Sequence, residues 1–193
     1  QNTKINIDKN INDKIIDKLK WTENGYEPVG FPCCESKALG KIKPKDEYQL
    51  AAMDSLKSNQ VTLLRGPAGT GKSYLAMGYL MDRLEHGVID KIIVFCNTVA
   101  TAGAAKLGFY PGSRDEKLLD SQIGNFLSSK LGGMQAVEQM ITAEKLILLP
   151  MSDIRGFDTT GMNAGIYITE AQNMDIELMR LALQRIGEDS ICV

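Results

Sequence analysis

The sequence lacks an excess of charge of either sign. Lysine and arginine number 22 against 24 aspartates and glutamates, a formal net charge of −2. That balance raises no chain-wide basic field of the kind that gathers nucleic acid, and leaves only a local groove for such a partner. Zinc spacing is absent too. The four cysteines are Cys33, Cys34, Cys96 and Cys192. The first pair is adjacent and the other two sit in apolar, strand-like runs, so they read as reduced thiols of a cytoplasmic protein. No apolar run is long enough to cross a bilayer and no signal-peptide pattern opens the chain, so no membrane role is expected. No internal repeat is found. A starting Met is missing as well: Gln1 opens the chain and Ser190-Ile191-Cys192-Val193 reads as a strand just beginning, so both ends are expected to be cut. What remains is an apolar fraction of 44% over 193 residues, enough for one globular domain or one domain with an appendage. We expect an N-terminal extension over residues 1–40 and the main domain over 41–193.

One stretch organises that domain. The β-prone run Val61-Thr62-Leu63-Leu64-Arg65 leads into Gly66-Pro67-Ala68-Gly69-Thr70-Gly71-Lys72-Ser73, and a helical pattern runs from Tyr74 to about Leu84. This is the phosphate-binding pattern G-x-x-x-x-G-K-[ST] between a strand and a helix. Gly66, Gly69 and Gly71 let the backbone bring its N–H groups close to phosphate oxygens. The helix N-terminus behind the loop adds about half a positive charge. Lys72 would reach the β- and γ-phosphates, and the Ser73 hydroxyl would ligate Mg²⁺. The expected nucleotide contacts are Gly66, Pro67, Ala68, Gly69, Thr70, Gly71, Lys72, Ser73 and Tyr74, with ATP and Mg²⁺ as the groups bound.

Ahead of the loop, Ile11, Ile15, Ile16 and Leu19 share one helical face, read as a short amphipathic helix packed on its own domain or a loose extension, in preference to a partner-binding or oligomer-contact helix. Trp21 to Gly40 reads as loop. Lys41-Ile42-Lys43-Pro44-Lys45 reads as a solvated linker in preference to a phosphate-backbone contact. Asp46 to Lys57 fits a helix carrying Gln49, with Leu50, Ala51, Met53 and Leu56 available for packing. After the loop, Lys91–Cys96 is a continuous apolar run suited to a parallel strand buried on both faces. Asn97 and Thr98 stand beyond it, where ligands gather in open α/β sheets. Helices are expected over Glu116–Leu131, with Leu119, Ile123, Phe126 and Leu127 on one face, and near Met134–Ile141. Lys145–Leu149 and Gly165–Ile168 are further strands, Asp175–Ile186 is a helix with Met179, Leu183 and Ile186 spaced for burial, and a fifth strand opens at Ser190. Strands alternating with helices predict an α/β fold, a parallel sheet with helices on both faces.

Nucleotide hydrolysis also needs a group that positions or deprotonates water. Glu170, just past the carboxyl end of a buried strand, is the candidate, taken in preference to a surface carboxylate opening a helix. Gln172 is either a γ-phosphate sensor or a solvated helix residue.

Together these residues resemble the PhoH family, ATPases of bacteria and their phages with a core like that of superfamily 1 helicases, hence a RecA-like P-loop NTPase. The likeness spans about Asp46 to Val193. It rests on the Gly66–Ser73 loop, Lys106-Leu107-Gly108-Phe109-Tyr110-Pro111-Gly112 with Glu116-Lys117, Ile154-Arg155-Gly156, and Glu170-Ala171-Gln172-Asn173. The resemblance implies ATP binding and hydrolysis, assembly into a homo-oligomeric ring such as a hexamer, and a link to RNA or single-stranded nucleic acid. It implies that Gln49 reads adenine, and that Arg155 or Arg185 stabilises charge, set against an ordinary salt bridge for each. Where the family usually has Asp-Glu, this chain has Thr169-Glu170. The aspartate normally helps hold Mg²⁺ through its water shell, so here Ser73 would be supported by Thr169 or Glu170 through water. The family also tends to have Arg-Pro where Asn97-Thr98 stands, which removes a cation from the crevice. A nucleotide-dependent switch without hydrolysis is the alternative that Thr169 favours.

Overall fold

The computed structural model describes residues 5–7, 18–28, 34–96 and 122–193. The chain begins with β1 (Ile5–Ile7), β2 (Lys18–Thr22) and β3 (Gly25–Pro28), an antiparallel sheet in that order. This corrects the expected helix and loop. Leu19 and Trp21 lie in β2, while Ile11, Ile15 and Ile16 fall outside the described residues. The overlooked signal is Glu23-Asn24-Gly25, a tight turn closed by a glycine at φ +108°. A second hairpin, β4 (Glu35–Ser36) with β5 (Gly40–Lys41), also replaces expected loop.

Two helices come next, and the second of them ties that hairpin down. α1 (Glu47–Ser58) starts at Asp46, whose carboxylate accepts from Gln49 N at 2.8 Å, and turns Leu50, Met53 and Leu56 inward. α2 (Lys72–Glu85) carries the buried Asp82, which accepts from Glu35 N at 3.0 Å and so fixes β4 on this helix. Ile42 is buried against Gly78 of α2, at a place where a Cβ would overlap its Cδ1. Lys41, Lys43 and Lys45 around it are exposed, a linker pinned by one apolar residue.

β6 (Lys91–Cys96) follows, then α3 (Gln122–Leu131) and α4 (Met134–Thr142), β7 (Leu146–Pro150), a 3₁₀ turn over Met151–Arg155, β8 (Ala164–Ile168), α5 (Ile176–Gln184) and β9 (Ile191–Cys192). The sheet order is β7-β6-β8-β9, parallel at every step. Alternation along β6 assigns the faces. Ile92, Val94 and Cys96 pack with the inner residues of α1 to α4, and Ile93 and Phe95 pack with Met151, Ile154 and Ala182 on the other side. Helices therefore cover both faces, as expected for α/β. The segment 97–121, with the Lys106–Gly112 block, Asn97, Thr98, Leu119 and the first part of the expected Glu116–Leu131 helix, lies outside the described residues.

Two further corrections concern packing. Leu183 is 45% exposed, and the inward residues of α5 are Leu178 and Ala182. Met179 and Leu183 are one residue further round, about 100° away on a helix. The run Val61–Arg65 forms one bridge, Val61 to Cys192, in place of a strand. Thr62 N donates to Cys192 O at 2.9 Å and Cys192 N to Gln60 O at 2.8 Å. Leu63 is 79% exposed.

Candidate functional site: the phosphate loop and the end of β8

The loop 66–71 is exposed main chain held by its own polar groups. Thr70 Oγ1 donates to Pro67 O at 2.9 Å, and Lys72 Nζ donates to Gly66 O at 2.8 Å and to Pro67 O at 2.7 Å. Gly69 (φ +79°) and Gly71 (φ +88°) take the left-handed backbone that lets the chain double back. Gly71 is also the N-cap of α2 and offers no side-chain cap. The first N–H groups of α2 thus keep their capacity for an outside acceptor, with the helix dipole behind them. Uncapped N–H groups and a lysine on one short loop are a donor set suited to phosphate oxygens.

Gln49 reaches this loop from α1. Its Nε2 donates to Thr70 O at 3.1 Å, while its Oε1 accepts from Lys45 N at 2.9 Å. Between α1 and the loop lies a cavity of about 500 Å³, with Tyr48, Gln49, Ala52, Leu64, Arg65 and Lys72 in its wall. Its lining is largely apolar with a few polar groups, the general character of a small-molecule site. Tyr74 points elsewhere: it packs on the core beside α3, with Lys130 Nζ 5.8 Å from its ring centre.

The start of α2 also meets the end of β8. Gly165 has no side chain, and a Cβ there would stand 2.8 Å from Leu80 Cδ2 and 2.6 Å from Ile89 Cδ1. This absence lets α2 lie close on the strand. Two residues along the same face, Tyr167 is buried and its hydroxyl lies 2.9 Å from Ser73 Oγ in the first turn of α2. Sequence reasoning missed Tyr167. Its signal was a phenol in an otherwise aliphatic strand. Thr169 N donates to Phe95 O at 3.1 Å. Glu170 follows at φ +56°, a left-handed conformation costing a non-glycine residue about 1 kcal/mol. Its carboxylate is exposed and accepts from the Gln172 amide. The structure thus joins Ser73 to β8, and Glu170 to Gln172. Arg155 stands exposed at the end of the 3₁₀ turn, and Arg185 caps α5, where its carbonyl accepts from Thr159 Oγ1 at 2.6 Å.

Oxygen donors suit Mg²⁺, and Ser73, Thr169 and Glu170 supply them. Among the described residues, no cluster of three or more His, Cys, Asp or Glu could hold a metal by itself. Among the described residues no helix is long and apolar enough to cross a membrane.

Known proteins share this sequence pattern. The family model described as PhoH-like protein matches residues 41–193. The chain is 31% identical over 148 residues to the PhoH-like protein of Mycobacterium tuberculosis, covering 76% of this chain and 41% of that one. It is 28% identical over 169 residues to Protein PhoH of Escherichia coli, covering 86% and 46%. With the PhoH-like protein of Bacillus subtilis it shares 28% over 172 residues, covering 88% and 51%. The chain thus spans about half the length of these curated relatives.

Proposed function

Because this chain belongs to the PhoH-like protein family and carries an α/β, RecA-like core, we propose that it binds ATP with Mg²⁺ and hydrolyses the terminal phosphate. Family membership supports a nucleotide-binding protein. The observation that carries the reading further is the uncapped start of α2 behind a left-handed glycine, with the Lys72 ammonium resting on the carbonyls of Gly66 and Pro67. A phosphate chain offers that ammonium better acceptors than neutral carbonyls, because an anion adds a charge–charge attraction that a carbonyl dipole lacks.

In this reading the backbone from Gly66 to Gly71 cradles the phosphates and Lys72 neutralises charge developing on the γ-phosphate. Ser73 holds Mg²⁺, with Thr169 or Glu170 assisting through water; bound there, the cation neutralises charge on the phosphate oxygens. Glu170 accepts the proton of the attacking water, and the Gln172 amide orients its carboxylate. The base occupies the cavity beside Tyr48 and Gln49. Gln49 reads it by exchanging one of its present partners, Lys45 N or Thr70 O. Arg155 and Arg185 are the proposed charge-stabilising arginines, one of them acting across a subunit boundary of a homo-oligomer.

The decisive measurement is phosphate release from ATP by the wild-type chain, Lys72→Ala and Glu170→Gln. Turnover in the wild type and its loss in both variants is the expected result, and equal rates in all three overturn the assignment. Single-stranded RNA added to the same assay tests a coupling to RNA, through a change in rate. One observation favours a second reading, a switch that binds ATP without turning it over: Thr169 is neutral where a metal-supporting carboxylate would add charge. Tight binding without phosphate release, and release gained by Thr169→Asp, would select it.

A further inference from the structure

The Tyr167 hydroxyl has no packing task. Its ring is 7% exposed among apolar neighbours, and phenylalanine would fill that space without burying a polar atom. An unpaired phenol there would cost about 1–3 kcal/mol. Its bond to Ser73 removes that cost, and the bond depends on Gly165, which lets α2 approach β8. The arrangement spans 94 positions of sequence and ends on the one hydroxyl that opens α2 after Lys72.

We propose that Tyr167 is a positioning residue for Ser73, holding its hydroxyl so that the oxygen serves a divalent cation carried in with a nucleotide. The chemistry is that of two neighbouring hydroxyls. Each can donate one proton and accept at two lone pairs. The Tyr167 hydroxyl donates to Ser73 Oγ, which fixes the serine rotamer and leaves the second lone pair of Ser73 Oγ for the cation. Partners of this kind behind a metal ligand commonly contribute tenfold or more to metal affinity. Thr169, two residues along, adds no charge, so a fixed Ser73 matters more to a cation held there. The inference rests on the nucleotide reading above.

The test uses the full chain and a fluorescent ATP analogue, titrated with excess Mg²⁺ and again in EDTA. Tyr167→Phe keeps the ring, and its melting temperature checks the fold. The expected result is an about tenfold weaker Mg²⁺-supported affinity, with the affinity in EDTA essentially unmoved. The double variant Ser73→Ala/Tyr167→Phe is expected to bind no more weakly than Ser73→Ala, since a residue acting through Ser73 has nothing to act on once that hydroxyl is gone. Equal losses with and without Mg²⁺, no loss, tighter Mg²⁺-supported binding, or an additive double variant would each overturn the role of Tyr167 while leaving nucleotide binding standing. A wild-type chain that binds the analogue in neither condition would overturn the nucleotide reading and this inference with it.

Discussion

The phosphate loop and the end of β8 meet at Ser73 and are built in opposite ways. The loop is exposed main chain, shaped by glycines and held by polar bonds to its own carbonyls. β8 is buried from Ala164 to Tyr167 and shaped by fit against α2 and β6. Exposed backbone with donors to spare can exchange its internal bonds for bonds to a ligand. A strand packed to interior density cannot move by even a methyl group without cost. Damage to the loop should therefore register first in binding, and damage to β8 in stability or in the Tyr167–Ser73 contact.

The sharpest test of that contrast separates binding from turnover. Lys72→Ala is expected to lower turnover about 100-fold or more and to weaken nucleotide binding with it, because its charge acts on phosphates already in the ground state. Glu170→Gln is expected to lower turnover by about the same factor with little change in binding, since it acts on water in the transition state. Phosphate release beside a nucleotide titration distinguishes them, and equal binding losses would break the comparison. Next in size, Thr169→Asp is expected to lower the Mg²⁺ concentration needed for half-maximal binding by about tenfold, by adding a charge beside the metal ligands. An unchanged Mg²⁺ dependence would mean that Thr169 stands too far from the cation to matter.

The stability side comes third. Gly165→Ala should cost about 2 kcal/mol in a denaturant titration, because its Cβ would overlap Leu80 and Ile89. Gly69→Ala meets no atom within 4 Å and pays only for its left-handed φ, about 1 kcal/mol. If the order reversed, the loop would be the better-packed region of the two. The last effect is one of pH. Burial pushes the Cys192 thiol of β9 from 9.0 up to about 12. Above pH 9 the unfolded chain releases this proton and the folded chain keeps it, so stability falls as pH rises from about 9 to 12. The loss should be on the order of 1 kcal/mol near pH 10 and shrink in Cys192→Ala. A pH profile identical in the two proteins would contradict it.

Much of the molecule was legible in local patterns. Continuous apolar runs marked β6, β7 and β8 within a residue or so, since a strand covered on both faces must be apolar throughout. Asp46 and Asp175 stand where helices begin, and each carboxylate accepts a main-chain N–H of its own first turn. The loop pattern was legible because its glycines and lysine are demanded by the chain's own geometry. Less legible were features set by neighbours distant in sequence. Leu183 had the right spacing for burial, yet the sheet lies against Leu178 and Ala182. Val61–Arg65 had the composition of a strand, but pairing needs a partner, and the register with β9 gives it one bridge. Glu23-Asn24-Gly25 was local, and its hairpin was passed over because the flanking strands are short and carry charge.

What the sequence determined by itself is the kind of machine: strands alternating with helices, a glycine-rich loop ending in Lys72-Ser73, and an acidic residue after a buried strand. These are consequences of periodicity and of side-chain chemistry read one segment at a time. What the tertiary structure alone decided is how the segments serve one another. It gave Gln49 its partners in the linker and the loop, and turned Tyr74 toward α3. It also brought the Tyr167 hydroxyl to Ser73 across a gap that only a glycine in β8 leaves open. Such contacts depend on how closely α2 settles on the sheet, a distance set by side chains from both, and no single stretch of sequence carries it.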